Sequence, residues 1–333
     1  MPSVLITGGA GYVGSALTPR LLNAGHAVTV YDWMCFGSDF LPVDNPKLTL
    51  IEGDIRDSAK FVKACKGIDA VIHLACISND PSFELDEELS TTINYDCFEP
   101  LVIAAKEAGV KRFIYASTSS VYGVSDAPDV TEDHPLVPIT LYNKYKGMCE
   151  PLLFKHQSDD FTCVVIRPST ICGYAPRQRL DLTVNILTNL AINNRKITVF
   201  GGEQMRPNLH IQDMCDLYEL LLAAPKEKIA GRTFNAGYRN LKVGEIAMVV
   251  RKIVKEEFPE LGEIEIATTP SNDLRSYHVN SDKIRYELGF VPTRSVEEAV
   301  RDLCRAFRNG LIPNSLTDDR YYNVKTLKAL RAQ

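Results

Sequence analysis

Between Ser117 and Lys146 the chain gathers a hydroxyl, a phenol and an ammonium. The stretch opens with Ser117-Thr118-Ser119-Ser120-Val121-Tyr122-Gly123 and closes with Tyr142-Asn143-Lys144-Tyr145-Lys146. Tyr142 and Lys146 are four residues apart, so a helix places them on one face. An ammonium beside a phenol favours the phenolate. A tyrosine whose pKa is lowered in this way is a general base near neutral pH. Thr118 adds a second hydrogen-bonding hydroxyl. The Tyr-x-x-x-Lys spacing alone is weak, because it recurs as Tyr238/Lys242 and Tyr321/Lys325, which read as ordinary surface positions. Its first copy is distinguished by a strand before it, Arg112 to Ala116, and by a glycine-rich loop at the N-terminus.

That loop follows a short apolar strand, Val4-Leu5-Ile6, and reads Thr7-Gly8-Gly9-Ala10-Gly11-Tyr12-Val13-Gly14. Gly8, Gly11 and Gly14 let the backbone turn tightly and let a pyrophosphate approach the N–H groups at a helix start. Leu17, Leu21 and Leu22 continue as a helix with Pro19 inside it and Gly25 as its cap. A second strand, Ala27 to Tyr31, ends in Asp32, eighteen residues beyond Gly14. An acid there meets the adenosine ribose 2′-hydroxyl and repels a 2′-phosphate. No Arg or Lys follows before Lys47, which points to NAD over NADP. Strands at 48–51, 70–75, 112–116 and 162–166 alternate with helical stretches, the rhythm of a doubly wound parallel sheet. Asp54 is placed to meet the adenine. His73, inside an apolar strand, reads as a core histidine.

The expected architecture is α/β: a Rossmann-type doubly wound parallel sheet with a smaller C-terminal α/β substrate lobe. Residues 1–170 form the NAD-binding domain, joined by a returning strand near 233–237. Residues 171–310 form the substrate lobe, and 311–333 a tail without a functional signal. In the lobe, Arg177, Arg179, Arg206 and Arg275 are the charges of interest, since arginine suits a diphosphate.

The 333 residues, 45% hydrophobic, suffice for a large α/β unit with an attached lobe. A formal charge of −5 gives no basic footprint for nucleic acid. Nine cysteines lack metal-type spacing, and an odd count with no secretory segment points to reduced thiols in the cytoplasm. No apolar run approaches the roughly 20 residues that span a bilayer.

Taken together these residues resemble the extended short-chain dehydrogenase/reductases, in the NAD-dependent nucleotide-sugar epimerase/dehydratase branch, from Val4 to about Phe307. The resemblance implies that Gly8, Gly11, Tyr12, Val13, Gly14, Asp32, Asp54, Ile55, Leu74, Ala75, Cys76, Asn94, Tyr142, Lys146 and Pro168 hold NAD. It implies that Thr118, Tyr142 and Lys146 are catalytic. Thr118, Arg179, Asn185, Arg206 and Arg275 would meet a nucleotide-diphosphate sugar. The stretch Arg206 to Asp213 resembles the family's Arg-x-x-x-His-Val-x-Asp segment, and Arg179 to Asn185 resembles a sub-branch acting on modified or GDP-linked sugars. Two departures matter. The 4,6-dehydratases carry Asp-Glu where this chain has Ser119 and Ser120, and the 3,5-epimerases of GDP-mannose type carry a cysteine where Ser120 stands. The function implied is an NAD-dependent epimerase acting at C4 through a 4-keto intermediate. The alternative is a nucleotide-sugar 4-dehydrogenase or 4-keto-reductase. A homodimer through segments near 94–108 and 142–156 is expected from the same resemblance.

Overall fold

The computed structural model describes residues 1–270 and 276–331. Seven parallel strands form the main sheet: β1 (Val4–Thr7), β2 (Val28–Asp32), β3 (Leu48–Glu52), β4 (Ala70–His73), β5 (Arg112–Ala116), β6 (Thr162–Pro168) and β10 (Arg232–Ala236). Their spatial order is β10-β6-β5-β4-β1-β2-β3. The order reverses at β1, where Thr7 stands level with Tyr31 of β2 and His73 of β4. Open parallel sheets bind ligands in the crevice beyond the carboxyl ends of the strands at such a reversal.

Apolar residues run continuously along these strands because both faces are covered. Val4 and Ile6 of β1 join one hydrophobic core with Leu17 and Leu21 of the Tyr12–Asn23 helix and Met214 and Leu217 of the Ile211–Ala223 helix. Leu5, on the opposite face, joins Phe61, Phe98, Leu101, Cys149 and Leu153 from the helices on the other side. The segment Ile211–Ala223 and β10 therefore belong with the sheet, although they lie beyond residue 170 in the chain.

The lobe contains β7 (Thr170–Cys172), β8 (Lys196–Phe200), β9 (Met205–His210), β11 (Arg239–Lys242) and β12 (Glu265–Thr269). Strands β11, β9 and β7 form one small sheet, and β12 pairs in parallel with β8. Helices Thr183–Asn194, Val243–Glu257 and Val296–Arg308 supply the lobe's core through Val184, Ile246, Val250 and Val300. The tail ends in a helix, Asn323–Arg331, whose Leu327 packs against the main domain. No helix among the described residues is long and apolar enough to cross a membrane.

Candidate active site

A cavity of about 410 Å³ lies over the carboxyl ends of the main sheet, between it and the lobe. At one end is the glycine loop. Gly8 has φ +73°, and a Cβ there would stand 2.7 Å from the Ala75 nitrogen. A Cβ on Gly14 would stand 2.5 Å from Gly9. The glycines thus permit a left-handed turn and close backbone packing that other residues would block. Gly11 caps the Tyr12–Asn23 helix without a side-chain bond, and its first turn holds no acid. The N–H groups of that helix start are left for an anion, as a dinucleotide requires.

Asp32 accepts the N–H of Ala10 at 2.9 Å and of Met34 at 2.8 Å. Burial raises its pKa, and the Met34 and Ala10 bonds oppose the rise. One carboxylate at the end of β2 therefore fixes the glycine loop while lining the ribose end of the cavity. Asp54 and Ile55 also line it. The Asp54 carboxylate is paired with Arg56 Nε at 3.0 Å, which holds it below the ordinary range. Leu74, Ala75 and Cys76 follow β4, and Pro168 ends β6 at the same rim.

Asn94 holds the protein backbone behind the cavity. It lies in a π-helical turn, Thr92–Asp96, and both amide atoms are committed to one residue. Its Oδ1 accepts the Ile77 N–H at 2.8 Å and its Nδ2 donates to the Ile77 carbonyl at 2.9 Å. It clamps the loop after β4 from behind and does not line the cavity. Asn185 is likewise turned to protein: it accepts from Gly173 N at 3.0 Å and donates to the Tyr12 hydroxyl and the Arg179 carbonyl.

The proton-moving end is built by β5 and the Leu141–Phe154 helix. Thr118 caps a 3₁₀ turn, Ser119–Tyr122, by accepting the Ser120 N–H. Thr140 caps the Leu141–Phe154 helix and donates its hydroxyl to Asp80 at 2.6 Å. Thr118, Tyr142 and Lys146 line the same cavity. Lys146 donates to the Ala116 carbonyl at 2.7 Å and lies 5.0 Å from the Tyr115 ring centre. Burial holds the Tyr142 phenol well above the ordinary tyrosine range, and Arg179 is the cation that opposes this. The lowered pKa expected from the Tyr-Lys spacing is corrected on this point: desolvation outweighs the protein's own cations.

Behind these residues lies a buried polar network. Ser117 donates to Glu150 Oε1 at 2.6 Å, and Arg167 pairs with Glu150 through Nε at 3.0 Å and Nη2 at 2.6 Å. His73 is a core histidine: its Nδ1 lies 2.7 Å from Thr7 Oγ1, and burial, with Lys146 nearby, pushes its pKa down to about 3.

On the lobe side, Arg179 donates to Asp181 at 2.9 Å and to Ser78 at 3.3 Å, while its Nη2 has no hydrogen-bond partner among the described residues. Arg206 lines the cavity with its guanidinium 5.5 Å from the Tyr277 ring centre. Of the segment that follows, Asp213 is spent on Arg294, accepting its N–H at 2.9 Å and Nη1 at 2.6 Å. Arg275 lies outside the described residues.

Sequence reasoning did not assign Ser120, Asn143, Tyr277 or Asn323 to the site, yet all four line it. Ser120 Oγ donates to Asn143 Oδ1 at 2.5 Å and lies 2.8 Å from Thr118 Oγ1. The position of Ser120, where the resemblance implies an acid or a thiol in other branches, was the available signal. Asn323 offered none.

The family described as "NAD dependent epimerase/dehydratase family" matches residues 4–237. A dTDP-D-glucose 4,6-dehydratase of Mus musculus is 30% identical over 92% of this chain and 89% of its own length. A UDP-glucose 4-epimerase of Azospirillum brasilense is 28% identical over 87% of each. Among solved structures, MoeE5 in complex with UDP-glucuronic acid and NAD superposes with a TM-score of 0.79 at 26% identity, covering 92% of this chain and 99% of that one. DesIV, a dTDP-glucose 4,6-dehydratase from Streptomyces venezuelae with NAD bound, gives 0.80 at 26%, covering 92% and 97%. A glycine loop that could serve any dinucleotide is thus joined, in one cavity, to the hydroxyl, phenol and ammonium of a single lineage. The chain is an enzyme of the NAD-dependent epimerase/dehydratase family, with NAD as its cofactor.

Proposed function

We propose that the protein is an NAD-dependent nucleotide-sugar epimerase that inverts C4 through a 4-keto intermediate. The observation that carries the reading is the hydrogen-bonded chain Thr118–Ser120–Asn143, lining the same cavity as Tyr142, at the place where a dehydratase needs a carboxylic acid. Ser119 and Ser120 have no group able to protonate a departing C6 hydroxyl in concert with C5 deprotonation, so dehydration is not supported, although relatives carry that name.

Tyr142, as phenolate, takes the proton of the C4 hydroxyl. Thr118 hydrogen-bonds the same oxygen. When bound, oxidised NAD supplies the hydride acceptor and a positive charge that favours the phenolate. Lys146, held by Ala116 and Tyr115, adds its charge at the buried end. Arg179 and Arg206 retain the diphosphate while the keto sugar turns, and Arg275 is the further arginine expected there. Return of hydride to the other face, with the proton given back by Tyr142, completes inversion.

Product analysis with a panel of UDP-, GDP-, CDP- and dTDP-sugars tests this. A C4 stereoisomer with no net NADH supports the epimerase and names its nucleotide. A keto sugar with stoichiometric NADH would replace it by a 4-dehydrogenase, which uses the same three residues. The assembly that accompanies the reading is a homodimer, checked by sedimentation equilibrium.

A further inference from the structure

The tail reaches the cofactor cavity. Asn323, at the start of the last helix, is 5% exposed and lines the cavity with Leu327. Its Oδ1 accepts Arg177 Nη2 at 2.6 Å, its Nδ2 donates to Ser78 Oγ at 2.8 Å, and its backbone N–H donates to Asp181 at 3.2 Å. Asp181 also holds Arg179, and the Leu180 N–H donates to the Tyr321 carbonyl at 2.9 Å. One tail residue therefore ties the loop after β4 to the loop 177–182 of the lobe.

Arg177 is 4% exposed and stacks on Phe36, with Cζ 3.6 Å from the ring centre. Phe36 follows Asp32 by four residues and lines the dinucleotide end of the cavity. The Arg177 backbone N–H donates to Ser15 Oγ at 3.0 Å, in the first turn of the helix that the glycine loop opens. Its Nε has no hydrogen-bond partner among the described residues. A buried guanidinium donor left without an acceptor is unfavourable, and here it stands beside the helix start suited to a pyrophosphate.

We propose that Arg177 binds the NAD diphosphate from the lobe side and that Asn323 is its positioning residue, so that the tail retains NAD between turnovers. Retention suits a reaction in which the hydride taken must be returned by the same cofactor. That consequence rests on the epimerase reading, whereas the binding claim does not.

The test uses the holoenzyme. Trp33, the chain's single tryptophan, lines the cavity next to Asp32, so its fluorescence reports release of NAD after dilution into NAD-free buffer. Asn323→Ala is expected to speed release about tenfold, the equivalent of one charge-assisted hydrogen bond. Asn323→Asp keeps the acceptor for Arg177 and is expected to remain near the wild-type rate. Arg177→Met, which can still pack on Phe36, is expected to release at least as fast as Asn323→Ala. A merely structural role for Asn323 would be no better served by Asp than by Ala. The proposal is overturned if Asn323→Ala or Arg177→Met releases NAD within about twofold of wild type, or if Asn323→Asp leaks as fast as Asn323→Ala.

Discussion

Replacing Asn94 by alanine should cost stability and cofactor affinity together. Asn94 satisfies both backbone groups of Ile77, at 2.8 Å and 2.9 Å, and Ile77 is buried. Asn94→Ala orphans a buried N–H and a buried carbonyl. At about 1–3 kcal/mol for each, the loss is roughly 2–6 kcal/mol. For 333 residues the unfolding entropy is about 0.7 kcal/mol/K, so Tm should fall by about 3–9 °C. The same loop carries Cys76, Ser78, Asn79 and Asp80 into the cavity, so NAD should bind more weakly as well. Asn94→Asp keeps the acceptor for the Ile77 N–H but sets a second acceptor against the Ile77 carbonyl, so it should be no better than alanine. Thermal melts followed by circular dichroism, with a Trp33 fluorescence titration of NAD, measure both effects. Wild-type melting and wild-type NAD affinity in both variants would refute the clamp.

Tyr142→Phe should abolish turnover while NAD stays bound, read by steady-state assay and cofactor content; undiminished turnover would remove Tyr142 from the mechanism. Glu150→Gln should cost about 3–5 kcal/mol in urea unfolding, because it leaves the buried Arg167 guanidinium without its carboxylate. His73 predicts an acid limb. Its folded pKa of about 3 lies below an unfolded value of about 6.5, so the unfolded chain takes up the proton first and stability rises with pH across that window. On the order of 4–5 kcal/mol should therefore be lost as pH falls from about 6.5 to about 3. In His73→Gln, urea unfolding at several pH values should show a shallower limb, and an unchanged slope would assign the acid sensitivity elsewhere.

The strands and the glycine loop were legible because their signals are local: apolar runs bounded by turns, and glycines wherever a Cβ would strike backbone. That Tyr142 and Lys146 sit on one helix and line one cavity was legible for the same reason, since a helix fixes which positions share a face. Protonation was not. The spacing places an ammonium near a phenol, but burial raises the Tyr142 pKa first, and Cys76, Asp80 and Tyr277, from distant segments, raise it further through their charge. Asn94 and Asn185 were placed by resemblance, and their bonds to Ile77, Gly173, Tyr12 and Arg179 have no local pattern that could have announced them. Asn323 was silent because its partners, Arg177 and Ser78, lie 146 and 245 residues away in the chain. No periodicity reports such contacts.

The central claim is that hydride leaves C4 and returns to C4 on the opposite face within one cavity. A nucleotide sugar carrying deuterium at C4, of the nucleotide identified by the substrate panel, tests it most directly. The account predicts a C4-inverted product that keeps its deuterium at C4, with no labelled NADH in solution. Deuterium appearing in free NADH, or a product that carries hydrogen at C4, would contradict it.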